Sequence, residues 1–223
     1  MRIRRKKHLE ERLKNASDIL IVPERDIVNV NIAVQNKKYY DFNNLFANDN
    51  PVDLEFGCGK GGFITQKALV QEETNFVAVE MLENIIVMAC ELAKEKGLKN
   101  VRFLNTGAEY LPRYIKENSI SNIYLNFSPP FPKKGSESHR LTSDRFVLAY
   151  KSFLVNGGKI YQKTDDKEFF DYSYSKFVEH GFKVDDITEQ ISSGKVNNIQ
   201  TEYEKMFEKL GISAYGLVAQ KID

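Results

Sequence analysis

The chain is poor in the residue types that most often announce a function. Its two cysteines, Cys58 in a glycine-rich stretch and Cys90 in a helical pattern, have no metal-ligand spacing and need no oxidising compartment. The histidines, His8, His139 and His180, lie too far apart in sequence to suggest a metal pair or a nucleophile with its base. No apolar run approaches the ~20 residues of a membrane-spanning helix, so no membrane role is expected. No internal repeat or low-complexity tract is present. The first residues are basic, but no apolar stretch follows them, and Glu10 and Glu11 argue against an acid-poor transit peptide. A cytoplasmic protein without a metal site is expected.

Charge of one sign is lacking as well. Thirty-two Lys and Arg against 31 Asp and Glu give a net charge of +1, so bulk charge does not point to a nucleic-acid partner. Its distribution says more. Arg2, Arg4, Arg5, Lys6 and Lys7 lie within the first seven residues and leave 27 basic residues against 31 acids elsewhere. The reading is a basic arm on a slightly acidic body. At 223 residues there is room for one ample core plus small extensions. Residues 1–50 read as the arm and an extension, with a short helix around His8 to Lys14 and the apolar run Ile19 to Val22. Residues 51–223 read as the main domain.

What stands out is Asp53-Leu-Glu-Phe-Gly-Cys-Gly-Lys-Gly-Gly-Phe63. Val52, Leu54 and Phe56 suggest a buried strand, and the glycines allow a sharp turn into a helix near Gly62. Gly57, Gly59 and Gly62 match G-x-G-x-x-G, and Glu80 ends the next apolar run at the distance suited to a ribose hydroxyl. Nicotinamide, flavin and S-adenosylmethionine sites share that spacing. Glu55, two residues before the first glycine, favours S-adenosylmethionine, because an acid suits a sulfonium and an amino group better than a pyrophosphate. A Walker loop is excluded, since Gly61 rather than Ser or Thr follows Lys60.

From Asp53 onward strands alternate with helices. Strands are expected near 52–56, 76–79, 101–104, 120–127, 159–163, 182–191 and 214–221, with helices between most of them. This predicts an α/β, Rossmann-like, doubly wound, seven-stranded and mainly parallel sheet of the class I methyltransferase kind, with an antiparallel pair at one edge. A ligand would lie at the carboxyl ends of the central strands. There the sequence places the glycine loop, Glu80, Asn105 to Glu109, Asn126 to Pro132 and Thr164-Asp165. Asp165 and Asp166 would also suit a helix cap, and Thr201 to Glu204, unaided, reads as an ordinary helix N-terminus.

At the fourth strand the chain resembles the bacterial tRNA (guanine-N7-)-methyltransferase family. The resemblance is carried by Asn126-Phe-Ser-Pro-Pro-Phe-Pro-Lys-Lys134 and Arg140-Leu-Thr142. Further matches are Arg2, Arg4, Glu55 to Gly62, Glu80, Asn105, Ala108-Glu109, Lys163-Thr-Asp165 and Thr201-Glu-Tyr-Glu204. It implies methyl transfer from S-adenosylmethionine to guanine N7 in the tRNA variable loop. The cofactor would contact Glu55, Gly57, Gly59, Gly61, Glu80, Asn105, Ala108, Glu109 and Asn126. Asp165, Thr201, Glu204 and Ser128 would serve at the guanine, and Lys133, Arg140, Arg2 and Arg4 at RNA phosphates. The partner would be tRNA, and the oligomeric state either monomer or homodimer.

The chain departs from the family pattern at three places. Pro129 replaces an acid, Phe131 replaces the usual Trp, and the basic run after the paired lysines is thinned to Gly135-Ser-Glu-Ser-His139. Guanine N7 has a lone pair and no proton, so its methylation needs no general base, and Pro129 is expected to weaken transfer without necessarily abolishing it. The same departure leaves two alternatives. Ser128-Pro-Pro-Phe131 is similar to the motif of methyltransferases acting on exocyclic amines, and a weakened relative could bind tRNA without transferring methyl. A nicotinamide dehydrogenase fits only the glycine loop and Glu80.

Overall fold

The computed structural model describes residues 6–24, 29–192 and 199–222. The chain divides into two compact units, Met1–Ile115 and Lys116–Asp223. In the first unit, helices α1 (Leu9–Asn15), α2 (Val30–Ala33), α3 (Phe42–Phe46), α4 (Gly62–Val70), α5 (Glu83–Glu95) and α6 (Leu111–Tyr114) accompany strands β1 (Leu20–Ile21), β2 (Val52–Phe56), β3 (Asn75–Val79) and β4 (Val101–Leu104). Every residue of β2 and β3 is buried, as expected for strands covered on both faces. The strands are all parallel, in the order β1-β4-β3-β2. Helix α5 buries Ile86, Ala89, Cys90 and Ala93 along one stripe.

The extension packs against this stripe from outside. Ala16, Ile19 and Leu20 join the cluster formed by α4, α5 and β4. Arg12 grips Glu91 with two bonds of 2.6 Å, and Lys94 bonds Asp18 at 2.7 Å. These pairs are half exposed and fix geometry more than they add stability. The run Ile19 to Val22, assigned no strand from sequence, supplies β1, so the described residues hold eight strands and not seven. Its pairing matters for the site, because Asn105 donates its backbone N–H to the Ile21 carbonyl at 2.9 Å.

The second unit contains β5 (Ile120–Asn126), α7 (Asp144–Phe153), β6 (Leu154–Thr164), α8 (Lys167–Glu179), β7 (Phe182–Asp186), α9 (Thr188–Ser192), α10 (Glu202–Lys209) and β8 (Tyr215–Lys221). Here β6 runs parallel to β5, and β8 lies antiparallel between β6 and β7. The expected antiparallel edge pair is therefore present. Helix α8 buries Phe169, Ser173 and Phe177, residues four apart on one face. No helix among the described residues is long and apolar enough to cross a membrane.

Candidate functional site

In the first unit, the turn after β2 is built by glycines at positive φ: Gly57 at 68°, Gly59 at 56° and Gly61 at 80°. Gly57 and Cys58 donate to the Val79 carbonyl at 2.8 and 3.0 Å, which ties the turn to the end of β3. A Cβ at Gly57 or Gly59 would meet nothing within 4 Å, so the outer side of the turn is open. A Cβ at Gly61 would lie 2.8 Å from Cβ of Ala89, so this glycine lets α4 approach α5. Glu55 lies buried just before the turn. Burial, followed by the nearby charges of Glu55 and Glu80, pushes the Cys58 thiol well above its usual range. It stays a neutral thiol, and the loop is suited to binding rather than nucleophilic attack.

The ends of β3 and β4 complete this group. Glu80 accepts the Leu82 N–H at 2.9 Å through Oε1, and its backbone carbonyl accepts from Nδ2 of Asn105 at 2.9 Å. Asn105 is buried, and its Oδ1 has no hydrogen-bond partner among the described residues. Ala108 and Glu109 lie in a short 3-10 turn, where the Glu109 carboxylate folds over Gly107, 2.6 Å from where a Cβ would stand, so a side chain there would displace the carboxylate. Beside them is a cavity of about 310 Å³ lined by Met81, Asn105, Gly107, Glu109, Tyr110 and Arg113, with Pro23 of the extension on its wall. Met81, Tyr110 and Arg113 were not singled out from sequence, where nothing separates them from ordinary helix and turn residues. Tyr114, also on the wall, stacks on Tyr40 at 5.5 Å. Burial, then the charge of Tyr114, pushes the Tyr40 hydroxyl up to about 12. The open glycine turn, the unpartnered Asn105 oxygen and the adjoining cavity fit a nucleoside-bearing cofactor.

In the second unit, β5 ends at Asn126, and the next residues are strained. Phe127 has φ of 50° and Phe131 of 42°, values bulky residues avoid at a cost of roughly 1–3 kcal/mol each. Ser128 between them is buried, and its hydroxyl has no partner among the described residues. Pro129 is exposed. Arg140 holds this loop, donating from Nε to the Pro130 carbonyl at 2.8 Å and from Nη2 to the Phe131 carbonyl at 3.2 Å, with its guanidinium 4.3 Å from the Tyr172 ring centre. A residue expected at RNA phosphates thus has its fork turned on the backbone of its own loop. Lys133 is exposed; its carbonyl accepts from the Ser136 N–H at 2.8 Å, and its ammonium has no partner among the described residues.

At the end of β6 the two acids separate in role. Asp166 caps α8 by accepting from the Phe169 N–H at 2.8 Å. Asp165 is left exposed, with no hydrogen bond among the described residues. Thr201 and Glu204 form a reciprocal cap on α10: Glu204 N–H donates to the Thr201 hydroxyl at 3.0 Å and Thr201 N–H to the Glu204 carboxylate at 2.7 Å. That carboxylate also accepts from Lys163, 3.0 Å from both oxygens, in a pair whose side chains are 9% and 6% exposed. Lys163 was given no site role from sequence, since its partner lies 41 residues away. Arg2 and Arg4 lie outside the described residues.

Comparison with known proteins identifies the family and the fold. Residues 49–217 match the family model described as "Putative methyltransferase". The chain is 37% identical to the tRNA (guanine-N(7)-)-methyltransferase of Bacillus velezensis over 84% of this chain and 88% of that protein. It is 34% identical to the enzyme of the same name from Streptococcus uberis, over 98% of this chain and 99% of that one. Among solved structures, the 16S rRNA methyltransferase KamB superposes with a TM-score of 0.61 at 14% identity, covering 84% of this chain and 96% of the other. At that identity the likeness speaks to the fold alone, which is the α/β, Rossmann-like methyltransferase fold.

Proposed function

Because the chain belongs to the tRNA (guanine-N(7)-)-methyltransferase family, we propose that it is the enzyme that methylates guanine N7 in the variable loop of tRNA. S-adenosylmethionine, the methyl donor of such enzymes, supplies an electrophilic methyl group when bound. Glu55, Gly57, Gly59, Gly61, Glu80, Asn105, Ala108 and Glu109 of the first unit would hold it. The observation that carries this half is the glycine turn, open where a Cβ would stand and flanked by a buried acid and an unpartnered Asn105 oxygen.

Asp165, Ser128, Thr201 and Glu204 would serve the guanine. N7 attacks through its lone pair, so no residue need remove a proton from it. What the protein supplies is alignment and a dry surrounding. The guanine ring becomes positively charged as it gains the methyl group, and a carboxylate beside it stabilises that charge. Asp165, spared from capping by Asp166, is free to accept from guanine N1–H and the exocyclic amine. Lys133, with Arg2 and Arg4, would meet phosphates. Arg140 would serve the RNA through the loop whose carbonyls it holds.

The test is transfer from labelled S-adenosylmethionine to unmodified tRNA, with the product digested and the base identified by mass spectrometry. The expected product is 7-methylguanine, lost in D165N and increased in P129D. A methylated exocyclic amine would move the reading to the Ser128-Pro-Pro-Phe131 alternative. Binding of both ligands without transfer would make the chain a weakened relative.

A further inference from the structure

The loop after β5 and helix α10 meet through three aromatic rings. Phe127 stacks on Tyr203 at 5.8 Å and lies 5.5 Å from Phe207, while Tyr203 and Phe207 are 6.3 Å apart. Phe127 keeps its unfavourable φ because its N–H is held by the Lys163 carbonyl at 2.8 Å and its ring by α10. Tyr203 nonetheless remains 56% exposed. A ring held against neighbouring rings and still more than half exposed is suited to stacking on a nucleobase. Groups suited to the edge of a stacked guanine are close in sequence. Ser128, with its buried hydroxyl, follows Phe127, and the exposed Asp165 follows Lys163 by two residues.

We propose that Tyr203 takes the face of the target guanine, and that Lys163 is the positioning residue that holds Tyr203 there; this rests on the guanine N7 reading above. Tyr203 lies between Thr201 and Glu204, inside the reciprocal cap. The Glu204 carboxylate that closes the cap is fixed by Lys163, 3.0 Å from both oxygens. The Lys163 backbone holds Phe127 and its ammonium holds the first turn of α10. One residue therefore sets both rings of the stack. Removing its charge takes from the buried carboxylate the ammonium that lies 3.0 Å from both its oxygens and loosens the turn that carries Tyr203.

The chain contains no tryptophan, so Y203W introduces a single reporter. Its emission is expected to be quenched when unmodified tRNA binds, and K163M in the same background is expected to abolish the quench while tRNA is still retained in a filter assay. In the parent chain, Y203A should lower kcat/KM about tenfold, in keeping with the loss of one base–aromatic stack. K163M should lower kcat about tenfold or more with KM for tRNA changed less than about threefold, as expected of misalignment rather than lost affinity. K163R should recover most of that loss. If K163M does not fold, E204Q carries the same readouts, because glutamine also closes a reciprocal cap while removing the paired charge. Unchanged Y203W emission on bound tRNA, or a kcat within twofold of the parent for the folded charge-removing variant, would overturn the proposal. The identity of the methylated base tests the underlying function separately: 7-methylguanine formed without any quench defeats the stacking role alone.

Discussion

Each glycine of the turn after β2 answers to a different constraint. Gly59 and Gly61 both have positive φ, but only Gly61 faces another helix. G61A must place a methyl group 2.8 Å from Cβ of Ala89 and adopt a left-handed backbone. Together these should cost about 2–4 kcal/mol, read as a lower urea midpoint at unchanged m. G59A carries only the backbone penalty, about 1–2 kcal/mol, but fills open space on the ligand side. It should bind S-adenosylmethionine at least about tenfold more weakly by calorimetry. Equal stability and equal affinity for the two variants would refute the division. The sequence motif pairs Gly57 and Gly59 with Gly62, whereas the third left-handed residue is Gly61 and Gly62 already opens α4. Spacing locates the turn, but the φ of each residue depends on what the following helix packs against. Asp165 and Asp166 show the same limit. Either could cap α8 by sequence, and the trajectory of the chain leaving β6 decides for Asp166.

Among elements, β2 to β6, β8 and the long helices were legible because their burial follows simple periods, whereas the strand expected over 182–191 ends at Asp186 and gives way to α9. β2 alternates Val52, Leu54 and Phe56 with the acids Asp53 and Glu55, β3 is apolar after Asn75, and α5 repeats its buried stripe every three or four residues. The two-residue strand β1 was not legible, since its pairing with β4 spans about eighty residues of sequence. Nor was the reason for Arg140-Leu-Thr142. The Thr142 hydroxyl is fully buried 2.8 Å from that of Ser173. Ser173 gives its one proton to the Phe169 carbonyl at 2.7 Å and accepts from Gln162 at 2.9 Å. Thr142 must therefore donate to Ser173. With Arg140 on the Pro130 and Phe131 carbonyls, this bond moors the loop after β5 to α8 and β6. T142V keeps the shape and removes the donor, so it should lower stability by about 1 kcal/mol in denaturant unfolding, with tRNA affinity unchanged. A stability equal to the parent would mean that the bond contributes nothing.

For the molecule as a whole, near-neutral charge sets how RNA binding must be distributed. A net charge of +1 gives no general attraction for a polyanion, so affinity has to come from particular cations that displace counterions from phosphates. Each such contact adds about 0.7–0.9 to the slope of log K against log salt. Lys133 and Arg140 lie seven residues apart in one motif, and sequence offers no way to separate them. The structure does. Lys133 is exposed, whereas the Arg140 guanidinium is engaged by two carbonyls and the Tyr172 ring. K133A should therefore weaken tRNA binding and reduce the salt slope by roughly one contact, with kcat at saturating tRNA little changed. R140A should leave the slope where it was and lower kcat instead, because the loop that holds Ser128 loses its clamp. The measurement is filter binding across a salt series beside single-turnover methyl transfer. A slope reduced equally by both substitutions would make Arg140 a phosphate contact after all, reached only once RNA draws its guanidinium off the loop.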